Sequence, residues 1–526
     1  MQKELQVLAK KFGLSQKEWL VFFCALLAGL LLRFSLFGST DLTWDEAFHI
    51  LQGYKIATIF WANPLFLAAL LAAAAIFVFF VLIKRNVFAA GLFSLILPVA
   101  VYAFGAKITF HPTHPPFFNL VEGITIALAG IGPELAGKLI STASSVLMAL
   151  TGFFLAKHFS GKKAALIVFS LIMLSPYSVF YSSATYNTLL ADSLGFLALA
   201  LFFIGIKKNP KFVPVSGFFF VLAFFTRYTT LMLLLPVALL VFFYRKEVFE
   251  KSRRKNFAIF FLLVFSIVLA LAPAISSSFG NFSNWDKNNT AKLYVRDIVH
   301  YSAFLVERFG EHPINPSIFF FAKEISIFYT PLLPAVFLAG TFYLIRKRKI
   351  LPALFSLLFF AYFIFYSLGQ SFQDPNYLLE MEFPLLLVCG IFLGEIWPKK
   401  PAIALAALLA GIFLFQGIVL FSNSNFHGLS ETISKIPKEN TIMTDFIDPV
   451  IYYRGYNLAQ NNIVSYREYN DNPQSKADFA VLTEFYFSRN LRLEKELVKC
   501  FEIKSGEFTA FLVFAKSNQL CNEIGQ

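Results

Sequence analysis

The chain has 526 residues, of which 57% are hydrophobic, 68 are Phe and 15% are charged. Soluble proteins carry about 25% charged residues, so a soluble globular fold is excluded. The formal charge is +13, but Lys and Arg collect in short gaps between apolar runs, which is the positive-inside bias of a membrane protein and not the mark of a nucleic-acid binder.

The apolar runs are about 18–23 residues long, enough to cross roughly 30 Å of hydrocarbon as helices. The first follows Lys10, Lys11 and Lys17. It resembles a signal peptide but lacks a small-x-small cleavage site, and it reads as a retained span. Basic clusters at Lys3–Lys17, Lys84–Arg85, Lys157–Lys163, Lys207–Lys211, Arg245–Lys255, Arg346–Lys349 and Lys399–Lys400 fix the orientation if all are cytoplasmic. The spans between them then run 19–37, 61–83, 86–104, 134–156, 164–182, 188–206, 212–226, 229–244, 257–275, 325–345, 350–369, 378–397 and 401–422. The expected fold is a polytopic α-helical membrane protein with about 13 transmembrane helices over 1–422. Its outer loops are 38–60, 105–133 and 276–324, and a small α/β extracytoplasmic domain covers 423–526. The expected location is the cell membrane, multi-pass, with the N-terminus cytoplasmic and the C-terminal domain outside.

Polar residues gather on that outer side. "TWDEAFHI" follows the first span, and its acids Asp45 and Glu46 lie in an amphipathic stretch at the interface. His49 is four residues after Asp45, on the same helical face. Next comes "HPTHPP", where Pro115 and Pro116 open a helix over 117–130 and stiffen the turn that carries His111 and His114. The two His leave a divalent metal open, but no third ligand is fixed by spacing and no cofactor is predicted. Asp192 enters the span 188–206, where an acid needs a cavity, a partner or a helix N-terminus. Arg227 in "FFTRYTT" sits at the outer mouth of its span. There it either snorkels or presents its planar fork to an anionic headgroup. Asp374, Tyr377, Glu380 and Glu382 start the span after "QDPNYLLE", with Glu382 the deepest. The polar tail shows strand-like runs "NTIMTDF", "ADFAVLTEF", "LVKCFEI" and "FTAFLVFAK" around a helix-like "DPVIYYRGYNLAQ". Cys500 and Cys521 are the tail's cysteines, and spacing alone does not decide whether they pair.

In order, the pattern is an acidic "DE" after the first span, "HPP", "SP…Y…D" into a span, a "T-basic-Y" turn, and an aromatic-Pro span. It resembles the membrane-embedded glycosyltransferases of the GT-C fold, in particular the protein O-mannosyltransferase and aminoarabinose transferase type. The resemblance covers roughly residues 19–400 and lies in the order and shared sidedness of short motifs. It implies a polyprenyl-phosphate-sugar donor and a protein, glycan or lipid acceptor at the outer face. It further implies Asp45 as catalytic acid with Glu46 beside it, His114 in the "HPP" element, Asp192 as the acid of the later span, and Arg227 facing the lipid phosphate. His49, His111, Asp374, Tyr377 and Glu382 complete the expected substrate-binding set. Two departures stand out. An apolar hairpin, 61–104, separates "DE" from "HPP", and Asn376 stands where the family has Arg. A transporter or flippase, or a non-catalytic receptor for lipid-linked sugars, is the alternative. A transporter predicts deep charges in several spans and internal repetition, and neither is evident.

Overall fold

The structure is a computed structural model. It describes residues 13–37, 44–96, 115–280, 325, 330–369, 377–396, 400–423, 428–444, 447–455, 462–465, 477–483, 497–505 and 508–525. Helix α1, Gln16–Ser35, starts at a capping box in which Ser15 and Glu18 satisfy each other's backbone N–H. The segment 38–60, read as an outer connection with an amphipathic stretch, is largely helical: α2 spans Trp44–Ala62. Its mix of polar and apolar residues hides a helix that buries Ala47, Ile50, Ile56, Ala57 and Phe60. Pro64, at the first position of α3 (Pro64–Phe77), suits a helix start. A π-helical turn, Val78–Ile83, continues it, and α4 runs Val87–Ile96. Phe77 stacks on Phe93 at 3.8 Å and tilts against Phe218, which fastens the inserted hairpin to the body.

Helix α5, Phe117–Ala129, begins directly after Pro115–Pro116, as the prolines predict. There follow α6 (Pro133–Ser160), α7 (Lys162–Leu174), α8 (Pro176–Ser182) and α9 (Asn187–Lys207). The pair α7 and α8 is one predicted span bent by 51° at Ser175–Pro176, where the proline removes an interior hydrogen bond. The expected spans 212–226 and 229–244 form α10 (Phe212–Phe224), a 3₁₀ turn at Tyr228–Leu233 and α11 (Leu234–Phe243). Then come α12 (Arg254–Gly280), α13 (Leu332–Arg346), α14 (Ile350–Gly369), α15 (Leu378–Ile396) and α16 (Lys400–Asn423). Among the described residues, six helices are long and apolar enough to cross a membrane, seven with the bent pair, and five more apolar helices are shorter. The chain is therefore a multi-pass membrane protein. The expected count of about 13 spans is not settled by the described residues.

The core is formed by α6, α7, α9, α10 and α15; the apolar residues of α7, α9 and α15 are mostly buried, and α6 and α10 bury one face each. By contrast α1, α3 and α16 leave large apolar side chains exposed, such as Leu31, Leu65 and Phe415, which suits lipid-facing positions. The C-terminal part contains α17 (Gly428–Lys435), β1 (Ile442–Thr444), α18 (Ile447–Tyr453), β2 (Ile463–Ser465), β3 (Phe479–Thr483), β4 (Val498–Ser505), β5 (Phe508–Ala515) and α19 (Asn518–Gly525). The strands make one sheet in the order β2-β1-β3-β5-β4. The β1 pairs are parallel, and β5 pairs antiparallel with both β3 and β4. A disulfide joins Cys500 on β4 to Cys521 on α19.

This sheet unit rests on the helical body through α18. Tyr452 and Tyr453 pack on Ala47 and Ile50 of α2, and the Tyr452 hydroxyl donates to Glu134 Oε2 at 2.7 Å. Glu134 in turn pairs with Lys138 at 2.5 Å.

Candidate active site at the helix mouths

Helix α2 is held against α5 by successive rungs. His49 Nδ1 meets Asn119 Oδ1 at 2.6 Å, and His49 is fully buried. One turn further on, Gly53 lies against the Glu122 carboxyl, and Gly123 against Ile56. These contacts fix the rotation of α2, and with it the direction of its first turn. Asp45 lies in that turn, with its side chain outside the described residues. Glu46 is buried, and its Oε1 accepts from the backbone N–H of Thr185 at 3.1 Å.

Thr185 introduces α9, and three residues later Thr188 meets the next charged group. Arg227, in the turn after α10, donates from one terminal nitrogen to Thr188 Oγ1. Thr185 and Thr188 are separated by at most about 11 Å of extended chain. Glu46 and Arg227 thus grip two ends of one short segment. Two further bonds close the arrangement: Asn187 Nδ2 donates to Thr226 O at 3.3 Å, and the Phe117 N–H donates to Phe225 O at 3.0 Å. The end of the "HPP" element, the "DE" helix, the entry to α9 and the "TRY" turn therefore meet.

Arg227 is held from several sides. Its Nε pairs with Glu380 Oε1 at 2.8 Å, and its guanidinium lies 5.3 Å from the centre of the Tyr377 ring, within cation–π range. Tyr377 stacks on Tyr366 at 4.6 Å. Glu380 is fully buried, and a buried carboxylate must be compensated by donors and countercharge. Besides Arg227, it accepts from Thr229 Oγ1 at 2.6 Å and from the Tyr366 hydroxyl. Asp192 lies one helical turn beyond Thr188, within the field of Glu380, Arg227 and Glu382. Its Oδ2 is buried without a hydrogen-bond partner among the described residues.

Glu382 is placed differently from the expectation. It accepts from Ser175 Oγ and, at 2.9 Å, from Ser178 Oγ, at the break between α7 and α8. On the other side of that break, Arg33 donates to Met173 O, Gly29 O and Ser145 Oγ, each at 2.7 Å. The cation meets a carbonyl at the C-terminal end of α7, and the carboxylate meets the N-terminal end of α8, each opposite to the local helix dipole. Arg33 and Glu382 also lie within electrostatic reach of each other.

His111, His114 and Asp374 lie outside the described residues. Among the described residues, no three His, Cys, Asp or Glu side chains group as metal ligands do. Sequence reasoning missed the site roles of Glu380, Tyr366, Thr229, Thr185, Thr188 and Asn119. An acid within an apolar helix was the available signal for Glu380, but its two-residue spacing from Glu382 does not say which of them faces Arg227.

The family described as dolichyl-phosphate-mannose-protein mannosyltransferase matches residues 113–271. No curated protein matches the chain. Among solved structures, ArnT from Cupriavidus metallidurans bound to undecaprenyl phosphate aligns at 13% identity and a TM-score of 0.56, over 96% of this chain and 99% of that one. The apo state of ArnT aligns at 12% identity and 0.51, over 87% and 99%. The apo form of the Archaeoglobus fulgidus oligosaccharyltransferase aligns at 11% and 0.52, over 95% of this chain and 74% of that one. At these identities the likeness is one of fold, and the fold is that of the GT-C membrane glycosyltransferases.

Proposed function

We propose that the chain is a membrane glycosyltransferase that moves a sugar from a polyprenyl-phosphate donor to an acceptor hydroxyl on a protein, lipid or lipid-linked glycan. The observation that carries this reading is the segment 185–188, which joins the Glu46 carboxylate to the Arg227 guanidinium. An acid pair and a cation so spaced can act on the two ends of one displacement.

Asp45 acts as general base and takes the proton of the acceptor hydroxyl. The acceptor oxygen attacks the anomeric carbon and forms the new glycosidic bond. The bond from that carbon to the phosphate oxygen breaks, and its electron pair leaves with the phosphate. Arg227 opposes the charge that gathers there. A single displacement inverts the anomeric centre. Glu46, anchored on Thr185, orients the acid turn. The donor's long chain stays in the bilayer, which accounts for a site built where helices leave the apolar layer.

The test incubates purified protein with radiolabelled polyprenyl-phosphate sugars and crude membrane acceptors, then identifies the labelled product. Asp45→Asn should reduce transfer by about 10²–10⁴-fold while donor binding persists. Transfer at the wild-type rate in that variant refutes the base assignment. Donor binding with no transfer by the wild type favours a lipid-sugar receptor, and movement of labelled donor between leaflets without transfer favours a flippase.

A further inference from the structure

The ion pair between Arg227 and Glu380 raises a question of charge. If Arg227 receives a lipid phosphate, as the proposed function holds, that anion meets a guanidinium already matched by a carboxylate at 2.8 Å. A phosphate added without rearrangement would have to share that guanidinium with a carboxylate already in contact with it.

The surroundings of Glu380 show how the rearrangement can occur. Each of its carboxylate oxygens has a hydroxyl donor of its own, Thr229 on Oε1 and Tyr366 on Oε2. When the Arg227 Nε turns away, both oxygens stay hydrogen-bonded, and the buried carboxylate is not left bare. Thr188 and the Tyr377 ring meanwhile keep the guanidinium nearby. Tyr366 and Tyr377, stacked on each other, tie the two sets of contacts together.

We propose that Glu380 is the resident counter-ion of Arg227: the lipid phosphate displaces it, it recaptures the guanidinium when the phosphorylated lipid departs, and it thereby sets the rate of product release. The need for such a device follows from the chemistry. The donor is a phosphodiester with one negative charge. The released monoester carries about −1.5 to −2 at neutral pH, so an uncompensated arginine would hold product more tightly than donor.

The experiment titrates the purified full-length chain in detergent with a polyprenyl phosphate that carries no sugar, by calorimetry. Glu380→Gln removes the competing charge and should tighten binding about tenfold or more. Tyr366→Phe leaves Glu380 more dependent on Arg227 and should weaken binding about threefold. Equal or weaker binding by Glu380→Gln overturns the counter-ion role and points to a carboxylate that only orients the arginine. If Glu380→Gln does not fold, tighter or unchanged binding by Tyr366→Phe overturns the role on its own. Arg227→Ala separates this inference from the reading beneath it. Wild-type binding in that variant removes Arg227 from the phosphate site altogether. Lost binding there, with no tightening in Glu380→Gln, removes only the counter-ion.

Discussion

Gly123→Ala tests whether the close approach of α5 to α2 sets the position of the acid turn. A Cβ at Gly123 would lie 2.5 Å from Ile56 Cγ2, 2.7 Å from Ile56 Cβ and 3.0 Å from the Gly53 carbonyl oxygen. Carbon atoms rest at about 3.5–4.0 Å, so the helices must part by about 1 Å. Ile56 is branched at the clashing atom and buried, and it cannot swing clear. Overpacking of this kind costs about 1–3 kcal/mol. The same displacement carries the first turn of α2, and a 1 Å misplacement of reacting groups costs about 10²-fold in rate. Transfer at saturating donor should therefore fall about 100-fold, while phosphate binding at Arg227, which α2 reaches only through the segment 185–188, should weaken far less than transfer does. Adding Ile56→Ala should restore part of the rate, because it removes the atoms that clash. Wild-type transfer in Gly123→Ala, or no recovery in the double variant, refutes the idea that this contact positions the acids.

Two predictions concern stability. Arg33→Met strips the bonds to Met173 O and Ser145 Oγ and leaves Glu382 short of a cation, at about 3–5 kcal/mol. The thermal midpoint on size-exclusion chromatography should drop, Glu382→Gln in the same background should recover part of the loss, and an unchanged midpoint refutes the staple. Cys500→Ser opens a disulfide that closes a loop with a sequence separation of 21, worth about 3 kcal/mol in the loop-entropy relation. The strands β4 and β5 should then become the first segments cut in limited proteolysis of the full chain, and an unaltered pattern counts against this.

Much of the helical frame was legible because span boundaries carry strong local signals. Pro115–Pro116 marked the start of α5, basic residues marked the ends of α6 and α9, and Asp192 betrayed a polar surround inside an apolar helix. The helical start of α2 was read from its amphipathic stretch around Asp45 and His49, but its full length to Ala62 was not. Beyond that stretch the apolar face is interrupted by Gln52, Tyr54 and Lys55, and packing on α5 and α18 reveals the buried side. Which of Glu380 and Glu382 faces Arg227 was beyond the sequence for a geometric reason. Residues two apart on a helix point to different sides, and the partners that decide, Arg227 for one and Ser175 and Ser178 for the other, come from distant parts of the chain. Arg33 was read as part of an apolar run, although a guanidinium inside a span is itself a signal of a buried partner. Glu122 is fully buried with no hydrogen-bond partner for either oxygen among the described residues, and its acid in "FFNLVEGITIALA" could have been flagged by the same rule.

The seating of Tyr452 and Tyr453 on Ala47 and Ile50 bears on how such chains can be recombined. A graft that exchanges everything after α16 for the tail of a distant cousin would set foreign rings on the helix that bears Asp45 and Glu46. Hybrids should keep their vigour only when the small residue at 47 and the branched one at 50 travel with the tail that evolved against them.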